Sequence, residues 1–129
     1  MAITNEYGIV MKEIRKRRGI TLNDMANAMD VSISFLSALE VGNKTIPQNY
    51  PDKVASYYDL SLEELKELKN AMDLSNGKII IPINKLDEEK TDILLEFARK
   101  IENPSLELLL ELKLVLKMID WFRKKSVLF

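Results

Sequence analysis

Along most of this chain apolar residues recur at three- and four-residue spacing, the period of helices with one buried face. The first run predicts a helix from about Tyr7 to Arg18. Ile9, Val10, Met11 and Ile14 form its apolar stripe, residues 1–7 precede it as a short arm, and Gly19 stops it. Thr21 can cap a second helix, its hydroxyl accepting a backbone N–H left free in the first turn, with Asp24 three residues on. Leu22, Met25, Ala26 and Met29 share one face of that helix, and Asp30, which tolerates the left-handed conformation, ends it. Ser32 caps a third helix whose inward side is Phe35 or Leu36, then Leu39, and Gly42 closes it. Pro47 fits the first turn of a fourth helix over Gln48–Tyr58, whose start Pro51 can delay; Val54, Tyr57 and Tyr58 look inward. Ser61 and Glu64 form a capping box for a fifth, Leu62 to about Met72, burying Leu62, Leu65, Leu68 and Met72.

The pattern then changes. Ser75-Asn76-Gly77 reads as a turn, and the β-branched run Lys78–Ile83 reads as a short strand that Pro82 restricts to an edge or an end. One strand alone is not stable, so it either packs as extended chain on the helices or pairs with its twin in a second subunit. Asp87 caps a sixth helix with Ile93, Leu94, Phe97, Ala98 and Ile101 at helical spacing, and Asn103-Pro104-Ser105 breaks it. In the last helix Leu108, Leu109, Leu112, Val115, Leu116, Ile119 and Phe122 cover a wide arc, which Leu114, Met118 and Trp121 widen further. A surface helix on a small domain needs a narrower stripe. Either a second copy of the chain covers this arc, through residues such as Leu109, Leu112, Leu116 and Ile119, or the fifth and sixth helices of the same chain do.

Residues Thr21–Gly42 organise the rest. Ala26 is small where two helices joined by so short a turn cross closely, and such pairs cross at roughly 90–120°. That geometry leaves Ile33, Ser34, Ser37, Ala38 and Val41 on or beside an outward face, slim enough for a groove about 12 Å wide.

Ile14-Arg15, Arg18-Gly19, Thr21, Met25-Ala26, Val31-Ser32, Leu36-Ser37, Leu39-Glu40, Gly42 and Pro47 fall at a joint spacing that resembles the lambda-repressor-like helix-turn-helix family of the Xre/Cro type. The resemblance covers residues 8–62. It implies a five-helix DNA-binding domain whose third helix reads the major groove, with Arg15 and Glu40 as an ion pair bracing the first helix against the third. The fold class is then all-α: a lambda-repressor-like domain (1–74), a short extended segment, linker or strand (75–86), and a C-terminal helical pair for dimerisation (87–129).

The candidate DNA-binding set follows. Ile33, Ser34, Ser37 and Ala38 face base edges. Asn43, Lys44 and Thr45 come directly after the reading helix and lie over the phosphate backbone, where contacts set register without carrying sequence information; the alternative for them is an ordinary turn. Arg17 and Arg18 end the first helix, where they reach phosphates or simply suit the helix dipole. Thr21, Asn23 and Ser32, at the starts of the second and third helices, complete the set. Two departures from the family stand out: Leu22 where many members place a phosphate-touching Gln, and Asp30 in place of the turn Gly. The reading face also carries no Arg, Gln or Asn, the side chains that pair bidentately with guanine or adenine. Direct readout is therefore modest, with DNA shape and flanking contacts carrying more.

Composition narrows the rest. The 129 residues carry a net charge of −1, so no basic excess points to nucleic acid; the cations cluster instead, at Lys12 and Arg15–Arg18. With no histidine and no cysteine, the commonest general base, metal ligand and thiolate are missing. The acidic residues alternate with lysine on helix faces, and the glycines stand singly at element ends. No catalytic, metal or cofactor site is expected, and the chain is read as a non-enzyme. No signal peptide opens it, and Glu107, Glu111, Lys113, Lys117 and Asp120 interrupt the longest apolar stretch, so neither export nor a membrane span is expected. The expectation is a cytoplasmic homodimer on double-stranded DNA; the resemblance implies a bacterial or phage regulator, most commonly a repressor, with activation open. The competing reading is a protein-interaction module, such as an antitoxin whose C-terminal helices sequester a protein partner.

Overall fold

The structure, a computed structural model, describes residues 4–128, with side chains through 125. Among them are seven α-helices and no strand: α1 (Glu6–Arg18), α2 (Leu22–Ala28), α3 (Ile33–Val41), α4 (Tyr50–Tyr58), α5 (Leu62–Asn76), α6 (Glu88–Ile101) and α7 (Leu106–Leu128), with a 3-10 turn at Ile83–Lys85. The fold is all-helical, as the periodicity indicates. It divides after Ile80 into two compact units.

In the N-terminal unit α1 packs on α3 and α5, α2 on α3, and α4 on α5. Tyr7, Met11, Ile14, Met25, Leu39, Val54 and Leu68 are buried at its centre. Local chemistry sets most of its helix ends. Thr21 and Asp24 make a capping box, as do Ser61 and Glu64, and Ser32 accepts the Phe35 N–H at 3.0 Å. Gly19 and Gly42 take left-handed conformations at their helix ends, and Asp30 takes one in the α2–α3 turn.

The structure corrects several details. Asn5 and Thr4 are not a free arm. Asn5 caps α1 by accepting the Gly8 N–H at 2.8 Å, and its own side-chain amide donates to the Leu39 carbonyl at 3.0 Å. Its backbone N–H also donates to the Glu40 carbonyl at 2.9 Å, so one residue satisfies the start of α1 and the end of α3. Residues 1–3 of the expected arm lie outside the described residues. Close approach here is what Gly8 permits, because a Cβ at that position would overlap the Glu40 carbonyl oxygen and Thr4. Pro47 lies before α4, and Pro51 occupies the first turn instead. Leu62, the first residue of α5, is 86% exposed, and Ile9 and Tyr57 are also exposed. α5 runs through the expected turn to Asn76, because Ser75 and Asn76 are held by tertiary hydrogen bonds and Gly77 then closes the helix.

The expected strand over Lys78–Ile83 does not form. Residues 78–82 carry no regular secondary structure and lead into the 3-10 turn, and Ile79, Ile80 and Ile81 are exposed. Among the described residues there is no second strand to pair with; the Lys78 N–H donates instead to the Asp73 carbonyl at 3.2 Å, and Pro82 has no N–H to offer.

In the C-terminal unit Asp87 caps α6 by accepting the Lys90 N–H at 2.8 Å, and Ser105 accepts the Leu108 N–H at 3.1 Å. No residue of this unit is buried among those described. Leu94, Leu108 and Leu112 are half-buried, while Leu110, Leu114, Leu116, Met118 and Trp121 are exposed. α6 therefore leaves most of the α7 arc uncovered. No described helix is long and apolar enough to cross a membrane.

Candidate nucleic-acid interface

A buried ion pair joins the third helix to the first. Arg15 on α1 meets Glu40 on α3 through two parallel contacts of 2.7 Å, with both side chains nearly inaccessible. A two-pronged guanidinium–carboxylate pair fixes orientation as well as distance. It locks the inner side of α3, where Leu36 and Leu39 are also buried, and so determines which residues turn outward. Ile33 and Ser34 are exposed, and Ser37, Ala38 and Val41 are half-buried.

Gly42 then reverses the chain. The Asn43 and Lys44 N–H groups both donate to the Ala38 carbonyl, at 2.9 and 3.3 Å, so this loop folds back against the end of α3. Ile46 anchors the far side of the loop. It is buried, and the Asn76 side chain clamps its backbone, accepting the Ile46 N–H at 2.9 Å and donating to its carbonyl at 3.0 Å. Between these two pins Asn43, Lys44 and Thr45 stand exposed. The Lys44 ammonium lies 5.5 Å from the centre of the Phe35 ring. Phe35 meets Tyr50 edge-to-face at 5.7 Å, and Lys53 stands 5.9 Å over Tyr50. A quadrupolar ring face attracts a cation weakly and holds it in place while leaving the ammonium hydrogens free for an anion.

The structure thus gathers Ser32, Ile33, Ser34, Ser37, Ala38, Asn43, Lys44 and Thr45 on α3 and the loop that follows it. Thr21 and Asn23 are exposed at the start of α2. Thr21 and Ser32 use an oxygen lone pair in capping, at 3.0 Å to the Asp24 and Phe35 N–H groups, and each hydroxyl keeps its own hydrogen to donate. Arg17 and Arg18 differ from these. Arg18 donates to both Glu64 oxygens, at 2.9 and 3.0 Å, and to the Tyr58 carbonyl at 3.2 Å, tying α1 to the α4–α5 corner. These bonds raise the Arg18 pKa and hold the Glu64 carboxyl down at about 2. Arg17 is more exposed and shares Glu64 at 3.3 Å with a second contact to Glu13 at 3.5 Å.

Sequence reasoning missed three contributors: Asn5, Asn76 and Lys53. Asn5 was legible as an N-cap three residues before Gly8, but no local signal exposes its bond to Leu39 or that of Asn76 to Ile46, because those partners lie 34 and 30 residues away. Lys53 was legible only as one more cation on a helix.

Two capped helices about a tight turn, braced by a buried arginine–glutamate pair, make the N-terminal unit a helix-turn-helix domain of the lambda-repressor-like, Xre/Cro type, and residues 11–65 match the helix-turn-helix family. The HTH-type transcriptional regulator DdrOP3 of Deinococcus deserti is 33% identical to this chain over 57 residues. That alignment spans 44% of this chain and 44% of the relative's length. No solved structure matches the chain.

Proposed function

We propose that this protein is a sequence-specific, double-stranded DNA-binding regulator of transcription, a cytoplasmic repressor acting as a homodimer. The observation that carries the reading is the outward side of α3, with Ile33 and Ser34 exposed and the Asn43–Thr45 loop pinned beside it. In this reading α3 enters the major groove, the α3 side chains meet base edges, and Asn43, Lys44 and Thr45 hold phosphates. Arg18 is left out of the contact set, because its donors are engaged by Glu64 and Tyr58. Residues 1–74 act as the DNA-binding part, 75–86 as the connection and 87–129 as the dimerisation part, with Leu109, Leu112, Leu116 and Ile119 in the subunit contact. Two domains then meet half-sites one helical turn apart, about 34 Å.

A salt titration of DNA binding by gel shift tests the first claim. Phosphate-driven binding weakens steeply as salt rises, and Lys44→Glu abolishes the shift while leaving the melting transition in place. An unchanged shift removes Lys44 from the interface, and no shift at any salt removes DNA from the reading. The apolar surface of α6 and α7 supports a second reading, an interaction module that sequesters another protein. Sedimentation of the purified chain separates them: the dimer reading requires self-association without any partner.

A further inference from the structure

The outward side of α3 is unusual in what it lacks. Ile33, Ser34, Ser37, Ala38 and Val41 supply no guanidinium, amide or carboxylate, so no fork of donors and acceptors faces outward. A serine hydroxyl both donates and accepts, and so separates the four base pairs poorly. Ile33 separates them by another property. It is 46% exposed in the first turn of α3, the part of a reading helix that approaches base edges. Of the groups displayed on the edges of the four standard bases in the major groove, one is apolar: the C5-methyl of thymine.

We infer that α3 reads DNA by apolar contact, with Ile33 covering the C5-methyl of a thymine at one fixed position in each half-site. This rests on the DNA-binding reading above and specifies which duplexes that site takes. The serines flanking Ile33 on this surface hydrogen-bond to base edges without selecting them, and Lys44, held over Phe35, supplies a phosphate contact that fixes the register in which Ile33 meets its base. The recognised feature is thus a methyl group at a set distance from a phosphate. Covering one methyl is worth about fourfold in affinity.

The test uses the full chain and duplexes it enriches from a random-sequence pool. These are resynthesised with thymine replaced by uracil one position at a time, which removes the methyl and keeps the pairing. The expected result is one symmetry-related position per half-site where uracil weakens binding about fourfold. Ile33→Ser, whose melting transition should match that of the native chain, binds the thymine and uracil duplexes alike. Equal binding of both duplexes by the native chain at every position overturns the inference while DNA binding stands. So does an undiminished uracil penalty in Ile33→Ser, which would place the effect in DNA shape. Failure to enrich any duplex overturns the DNA-binding reading and this inference with it.

Discussion

Leu39 on α3 and Leu114 on α7 each sit within a helix among other apolar residues, yet the first is fully buried and the second is 62% exposed. The difference runs through both units. Residues of the N-terminal unit close around a core and use tertiary bonds at their helix ends. Those of the C-terminal unit have equally sound caps and a richer supply of leucine, but none of its described residues is buried. Capping and periodicity make helices; a closed core needs elements arriving from several directions. Five short helices with four turns supply that, and two helices do not. The apolar surface left on α7 is what the proposed dimer contact uses.

Ion pairs give the sharpest contrast. Arg15–Glu40 and Lys100–Glu96 have nearly equal separations, 2.7 and 2.8 Å, but the first pair is buried and the second exposed. Glu40→Ala leaves the Arg15 charge buried without its partner and should destabilise the N-terminal unit by about 3–5 kcal/mol in urea unfolding. Glu96→Ala, at a solvent-screened surface pair, should leave the unfolding transition essentially where it is. Comparable losses from the two would erase the distinction drawn between the units.

Apolar truncation comes next. Leu39→Ala should cost about 2–5 kcal/mol, the range for emptying a packed site. Leu114→Ala should leave the N-terminal transition where it is. Leu116→Asp combined with Ile119→Asp should convert the sedimenting species to monomer without moving that transition; a persistent dimer would place the subunit contact elsewhere.

A third effect is pH-dependent. Arg18, then the Ser61 backbone N–H, hold the Glu64 carboxyl at about 2 in the folded chain, below its ordinary value of 4.5. A depressed carboxylate stabilises the fold above its unfolded value and loses that contribution as pH falls toward its folded value. The N-terminal unit should therefore lose stability between about pH 4.5 and pH 2, and Glu64→Gln should flatten that part of the profile. The smallest effect is a single cap: Ser61→Ala should cost about 1 kcal/mol, read as a shift in the same unfolding curve.

Much of this was visible before any coordinates. Thr21 with Asp24, Ser61 with Glu64, and Ser32, Asp87 and Ser105 act within three residues of their partners, so the pattern that announces each cap also contains its partner. The Arg15–Glu40 pair was legible only through family resemblance, because nothing in the spacing of those two residues joins them. Asn76 shows the limit: local rules place Asn-Gly in a turn, and its bonds to Ile46 extend the helix instead.

Chain order alone settled where α2, α3, α5 and α6 start, where Gly19 and Gly42 stop helices, and that Ile33 and Ser34 follow a cap on a short third helix, since these depend on neighbours a few bonds away. Tertiary packing decided which cations remain outward, drawing Arg18 to Glu64 and leaving Lys44 on Phe35. It also decided that the loop after α3 is pinned and that Ile79, Ile80 and Ile81 lie exposed. Those outcomes turn on which groups meet across many residues of chain, and free energies of burial and pairing exist only once that meeting has occurred.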